Sequence, residues 1–328
     1  MDVLILGGTR FIGPYVVRRL IELGHQVTVF HRGQTEIDVS SQVRHVHGDF
    51  SEFGNHLQEL RRLSPEIVLD MVAFTREDGN RVLRFKGVAQ RGVVLSSGDV
   101  YRAFGRLHRS EPGEPESMPL TEDSPLRDKL SVGGLEYNKT AVERRVMSDP
   151  EFAVTVLRLP ATYGPGDYQH RLFPYIKRMD DARPVILMEK LFYEWFWPRS
   201  YVENVAAAIV LAVTNDDSAG RIYNVAESET FTEAEWIREI AKVVGWQGRI
   251  VALAPEQLPP DMRSKIDLRQ HLVIDSSRIR RELGFEEIVE RTEGLRRTIR
   301  WERANPPDVK PEDFNYAGED LVLSRLEN

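Results

Sequence analysis

A short apolar run from Val3 to Leu6 breaks into Gly7-Gly8-Thr9-Arg10-Phe11-Ile12-Gly13, and an amphipathic helical pattern then runs from Ile12 to Leu23, with Gly24 as its stop. Glycines at such a corner let the chain turn tightly and bring its backbone close to a ligand. The N-terminus of the following helix adds free N–H groups and the positive end of a dipole, a setting suited to a pyrophosphate. A glycine cluster alone says little. Between a first strand and a first helix, with a second apolar run from Val27 to Phe30 about twenty residues on, it commits the chain to a βαβ nucleotide-binding unit. Gly7, Gly8, Thr9, Arg10, Phe11, Ile12 and Gly13 are the candidate cradle.

The same rhythm continues through Val43 to Val46, Ile67 to Val72, Val93 to Leu95 and Val154 to Leu157. Strands that alternate with helical patterns imply a parallel sheet covered on both faces. The expected class is therefore α/β, a Rossmann-type doubly wound parallel sheet with a smaller C-terminal substrate-binding lobe. Residues 1–163 form the nucleotide domain, within which the proline- and acid-rich stretch 102–134 reads as an insertion or lid bordering the site. Residues 164–304, richer in aromatics and proline, read as a mainly substrate-binding lobe interleaved with returning elements of the sheet. Residues 305–328 read as an extended C-terminal tail.

Composition removes several classes of function. The 328 residues carry a formal net charge of -7, which offers no basic surface for a phosphodiester backbone, so no nucleic-acid partner is expected. The chain contains no cysteine, which excludes disulfides and thiolate metal centres. Its eight histidines show no metal-binding spacing and read as scattered, so no metal site is expected. MDVLILGG is too short and lacks the cationic lead of a signal peptide. No run approaches the roughly 20 apolar residues of a membrane span. The expectation is a cytoplasmic protein with a small-molecule substrate.

At the end of the second strand, where a carboxylate usually selects the ribose 2′-hydroxyl of NAD, the sequence reads Val29-Phe30-His31-Arg32-Gly33. The acid is missing there. Arg32, with Arg10 in the glycine loop and His31 beside it, suits a 2′-phosphate, so NADP is preferred and NAD remains possible. Asp49, closing the third strand, is a candidate acceptor for the adenine amino group, and equally a turn aspartate.

The segments GGTRFIG, LSSGDVY, TEDSPL, LRLPATYGPGD, RSYVENVAAAI, IYNVAESETFT and VIDSSRIRRELGF stand in an order that resembles the extended short-chain dehydrogenase/reductases, the nucleotide-sugar epimerases and dehydratases. The resemblance reaches to about Trp301, and Arg10 within the glycine loop is closer to the atypical branches of that family. It implies hydride transfer with a serine, a tyrosine and a lysine, the last two spaced Y-x-x-x-K on one helix face. By position the serine is Ser97 and the lysine Lys139, which would also hold the nicotinamide ribose. The tyrosine position falls on Leu135, and no Y-x-x-x-K occurs anywhere in the chain.

Tyr137 lies two residues before Lys139, about 200° away on a regular helix, and can stand in only if the segment begins irregularly, as Gly133 and Gly134 allow. Asp99 matches an acidic residue of the dehydratases and is the alternative proton acceptor, with an N-cap or turn role as its plainer reading. A neighbouring substrate hydroxyl would need neither. The resemblance further implies that Arg199 grips a substrate phosphate, with Arg171 or His170 in reach. Trp197, within the aromatic cluster Phe192 to Trp197, and Tyr101 are candidate substrate contacts. Ala161 stands where the family often has asparagine. Homodimerisation through paired helices is implied by resemblance only. The leading expectation is an NADP-dependent oxidoreductase or epimerase acting on a nucleotide sugar or related molecule. The alternatives are a catalytically degenerate sensor or scaffold and, further off, an RNA-binding relative like the chloroplast stem-loop binders.

Overall fold

The computed structural model describes residues 1–35, 40–128, 137–310 and 313–326. Its nucleotide half is built from β1 (Asp2–Leu6), α1 (Ile12–Glu22), β2 (Gln26–His31), β3 (Arg44–His47), α2 (Phe53–Arg62), β4 (Ile67–Asp70), α3 (Gly79–Leu83), β5 (Arg91–Ser97), α4 (Arg102–Leu107), α5 (Lys139–Val146) and β6 (Val154–Leu159). The second half supplies β7 (Ala161–Tyr163), α6 (Phe173–Asp180), β8 (Val185–Glu189), α7 (Lys190–Tyr193), β9 (Arg199–Tyr201), α8 (Val202–Thr214), β10 (Ile222–Asn224), α9 (Glu233–Val244), β11 (Arg249–Leu253), α10 (Ser277–Leu283), α11 (Arg291–Ala304) and α12 (Tyr316–Leu326). Among the described residues, no helix is long and apolar enough to cross a membrane.

Seven parallel strands form the main sheet in the order β10-β6-β5-β4-β1-β2-β3. Alternate residues of β1 feed opposite layers: Val3 and Ile5 pack with Val16, Val17 and Leu20 of α1 and Ile209 of α8. Leu4 and Leu6 face Leu60 of α2, Val82 of α3 and Val142 of α5. Each fully buried aliphatic side chain contributes about 1.5–3 kcal/mol, so a covered sheet needs strands as uniformly apolar as Val3 to Leu6. Strand order reverses between β1 and β4, where Leu6 pairs with Asp70. Their loops leave in different directions there, and that divergence opens the crevice in which doubly wound sheets bind ligands.

The second lobe hangs from two parallel pairs, β7 with β9 and β8 with β11. α9 opens on a capping box, in which Thr232 and Glu235 satisfy each other's backbone, and its Trp236, Ile237 and Ile240 pack against Ile176 and Met179 of α6. In the 102–134 stretch, read from the sequence as an insertion or lid, Ala103, Leu107 and Leu120 are buried with Trp195, Leu268 and Leu272.

The tail departs from its expected extended form, because Tyr316–Leu326 is helical. Val322 packs with Val185, Leu187 and Leu253. Glu319, only 1% exposed, accepts from Arg178 Nη2 at 2.7 Å. The helix is held by cations some 140 residues upstream and by one buried carboxylate. Its own sequence shows little of an apolar stripe, so periodicity gave no sign of it.

Candidate active site

The loop after β1 forms one wall of a cavity of about 340 Å³ lined by Gly7 to Ile12, with His31 and Arg32 from the end of β2 opposite and Ser96 and Lys139 deeper in. Gly7 and Gly8 take φ of 88° and 82°, where a side chain is strained. Gly13 lies just behind the lining: a Cβ there would stand 2.2 Å from Gly8 O, so only glycine lets α1 begin against the loop. The cradle tests as a fit for a dinucleotide, because the backbone is close-packed from behind and open in front. Arg10 and Arg32 line the cavity from exposed positions, and neither guanidinium has a hydrogen-bond or ion-pair partner among the described residues. Asp49 is not part of this wall. Its Oδ1 accepts from Ser51 N at 2.8 Å and Ser51 Oγ at 2.7 Å, capping the 3-10 turn after β3.

β5 ends at Ser97, whose Oγ accepts from Asp99 N at 3.3 Å across a 3-10 turn. That turn aims Asp99 into a second cavity, of about 510 Å³, which Ser97, Asp99 and Tyr137 line together with Leu159, Ala161, Trp197 and Ile274. The tyrosine hydroxyl of Tyr137 donates to Asp99 Oδ2 at 2.6 Å. The objection of the 200° offset disappears because Tyr137 stands outside α5. Asn138 is the N-cap, with a non-helical φ of -146° and a side chain that accepts from Ala141 N, and its own N–H donates to Phe74 O. Leu135, Gly133 and Gly134 lie outside the described residues.

Lys139 opens α5 and is only 5% exposed, with Nζ donating to Ala73 O at 2.6 Å and Leu95 O at 2.9 Å. Burial pulls its ammonium down to about 8, against the opposite pull of Asp70 and Asp99. Burial likewise pushes the Asp99 carboxyl up, opposed by the Tyr137 hydrogen bond, the Arg127 guanidinium 3.8 Å from Oδ1, and Lys139. The phenol of Tyr137 is pushed far above its ordinary range by burial and by the Asp99 charge, so it rests as a neutral donor to that carboxylate.

Two expected substrate contacts are elsewhere. Tyr101 is fully buried, donates to Asn224 Oδ1 at 2.6 Å and accepts from Arg158 Nη1 at 3.0 Å, so it braces β10 against β6. Arg199 turns from the cavity into the second lobe, where Nη2 meets Glu233 Oε1 at 2.8 Å and the guanidinium lies over Trp236. The arginine that does reach the substrate cavity is Arg171, held by Thr162 O and Asp167. Sequence reasoning missed Phe74, whose ring lies 4.6 Å from Lys139 Nζ and which lines both cavities, and Tyr168, which is 71% exposed and does the same. It also missed Asp70, fully buried and paired with Arg81 at 3.2 Å. The D that ends β4 in IVLD was its one visible sign. The histidines are less scattered than expected: His31, His45 and His47 bring nitrogen atoms within 4.8 Å of one another.

A profile of the NAD dependent epimerase/dehydratase family matches residues 3–226. A relative in Arabidopsis thaliana, the chloroplast stem-loop binding protein of 41 kDa b, is 22% identical over 98% of this chain and 84% of its own length. The dTDP-glucose 4,6-dehydratase of Streptomyces griseus is 27% identical over 71% of this chain and 66% of its own. The structure of WbmG from Bordetella bronchiseptica, in complex with NAD and UDP, superposes with a TM-score of 0.71 over 93% of this chain and 95% of its own, at 18% identity.

Proposed function

Since the chain belongs to the NAD dependent epimerase/dehydratase family, we propose that it is a nicotinamide-dinucleotide-dependent enzyme that oxidises or reduces a carbinol carbon of a nucleotide-linked sugar. The observation that carries this reading is the joining of the two cavities: Phe74, Leu159 and Tyr168 belong to both. Lys139 lies on the nucleotide side of that junction, and Ser97, Asp99 and Tyr137 lie on the substrate side. Relatives and neighbours named for dTDP-glucose and for UDP support the substrate class. The absent acid at the end of β2, with Arg10 and Arg32 facing the cavity, supports NADP over NAD.

The bound nicotinamide supplies the hydride acceptor or donor. Ser97 Oγ, at the end of a rigid central strand, orients the substrate oxygen. Tyr137 takes the carbinol proton as its own proton passes to Asp99 Oδ2, 2.6 Å away, so a free phenolate is never required. Arg127, 1% exposed, keeps the receiving carboxylate charged until the transfer. Lys139, charged, holds the ribose side of the cofactor in place. The missing Y-x-x-x-K tyrosine is replaced in this reading by a dyad entering from just before α5.

The test is purified protein incubated with NADP, NADPH, NAD or NADH and a panel of UDP- and dTDP-hexoses, with products read by proton NMR. Conversion of one class, abolished in Lys139→Ala, is expected. Nucleotide binding without conversion above that variant would overturn the enzymatic reading and leave a non-catalytic sensor. A second reading, recognition of structured RNA, draws on the stem-loop-binding relative. A net charge of -7 opposes it, and no shift of a stem-loop RNA at low salt closes it.

A further inference from the structure

The parallel pairing of β2 with β3 sets His31 directly opposite His47 and Val29 opposite His45. Residues two apart on a strand share a face, so all three imidazoles project from the same side of the sheet. His31 Nε2 and His45 Nδ1 lie 2.8 Å apart, and the His31 and His47 ring centroids 4.7 Å apart. β3 is the edge strand, and His47 is exposed while His31 is 2% exposed. The group is therefore anchored at its inner member and open at its outer one. His45 Nε2 is buried and, among the described residues, has no hydrogen-bond partner.

We propose that His31, His45 and His47 form a binding site for a borderline divalent transition-metal ion such as zinc, with its fourth position open to solvent, and that occupancy of this site is coupled to the nucleotide cavity. Three neutral imidazoles suit zinc, cobalt or nickel, whereas magnesium and calcium require oxygen donors. Metal–nitrogen bonds of about 2.0–2.1 Å in tetrahedral geometry separate the donor atoms by about 3.3 Å. Nitrogens already within 4.8 Å reach that spacing with a small rotation of His47 and a slight opening of the His31–His45 pair.

The coupling follows from proton positions. Gly33 N–H donates to His31 Nδ1 at 3.2 Å. A neutral imidazole bound to metal through Nε2 must carry its proton on Nδ1, and one bound through Nδ1 has no lone pair left there. In either case the Gly33 amide loses its acceptor. Arg32, Gln34 and Thr35, on both sides of that glycine, line the nucleotide cavity together with His31 itself. Metal binding therefore rearranges the wall that faces the 2′-position of the ribose, and by linkage nucleotide binding changes metal affinity by the same factor.

The experiment uses the full chain without a histidine tag, stripped with chelator and titrated with cobalt(II). Expected are the visible bands of tetrahedral cobalt saturating at one equivalent and displaced by zinc. His45→Ala and His47→Ala should each weaken binding by about tenfold or more, while His56→Ala on the neighbouring helix should not. Absence of a one-equivalent signal, or its persistence in both variants, overturns the site. NADPH affinity measured with and without zinc should differ in the wild-type chain and not in His47→Ala. Equal affinities in the wild-type chain overturn the coupling. The cobalt readout needs no turnover, so failure of the proposed enzymatic activity would not be mistaken for failure of the site.

Discussion

The two ends of the cleft are made of different material. At the nucleotide end the contacts come from backbone: Gly7 and Gly8 at positive φ, Gly13 pressed on Gly8 O, and the opening of α1, all within seven consecutive residues. At the substrate end they come from side chains on separate segments, Phe74 after β4, Ser97 at the end of β5 and Asp99 just after it, Tyr137 before α5 and Trp197 before β9. Backbone sites demand particular residues at fixed spacing. Side-chain sites demand only that a suitable group arrive, by whatever route the chain provides. That difference teaches where substitution is tolerated: a proton relay can be rebuilt from a neighbouring residue, the role proposed for Tyr137 in place of a tyrosine at Leu135, whereas a glycine cradle cannot.

The sharpest way to break this contrast is to remove one oxygen at the substrate end. Tyr137→Phe should lower kcat by about 10²–10⁴-fold, the usual worth of a positioned acid or base, while the nucleotide dissociation constant from calorimetry stays within about twofold. If kcat survives, the relay runs through Asp99 or a substrate hydroxyl alone, and Asp99→Asn then becomes the decisive variant. The mirror experiment is Gly13→Ala. Its Cβ has Gly8 O at 2.2 Å with only backbone to give way, so nucleotide affinity should fall about 30–100-fold, equivalent to about 2–3 kcal/mol.

What was legible in the sequence follows the same division. The parallel sheet, the glycine cradle and the cavity-facing Arg10 and Arg32 were readable because strand periodicity and helix starts are local signals. Ser97 and Lys139 were readable from order along the chain. The partnership of Tyr137 with Asp99 was not, because it depends on Asn138 breaking the helix and on a contact across 38 residues. Arg199 and Tyr101 occupied familiar positions, but Arg199 Nη2 is paired with Glu233 and the Tyr101 hydroxyl with Asn224 and Arg158, partners that no spacing rule names. The histidine group was hidden for a further reason: its three members meet only through strand register.

Lys139 joins the two ends and gives the comparison a pH axis. Its ammonium sits at about 8 in the folded chain against 10.5 for an ordinary lysine, burial being the cause. The unfolded chain holds that proton up to about 10.5, so this group favours folding increasingly as pH rises from 8 towards 10.5. Nucleotide affinity should move the other way, falling roughly tenfold per pH unit above 8 if the charged form does the holding. Lys139→Arg should flatten that limb, and equal slopes in both proteins would detach Lys139 from the cofactor. Arg32→Ala is expected to lower the preference for NADPH over NADH by about tenfold, the worth of one charge-assisted contact to phosphate. An unchanged ratio would move 2′-recognition to Arg10.

The smallest expected effect on catalysis comes from Tyr101, which the sequence offered as a candidate substrate contact. Tyr101→Phe removes a hydroxyl that the fold uses, since Asn224 Oδ1 loses its donor and Arg158 Nη1 an acceptor. Arg158 keeps Glu143 and Glu122 O, and Asn224 keeps Leu120 O and Asp275 O, so the site relaxes rather than collapses. Stability should drop by about 1–3 kcal/mol in a denaturant titration, while kcat changes by less than about twofold. The same substitution thus reads in opposite columns at Tyr101 and at Tyr137. A large kcat loss at Tyr101 with stability unchanged would mean that a part in the chemistry has been mistaken for bracing of β10, and the boundary between scaffold and relay would have to be redrawn two residues beyond Asp99.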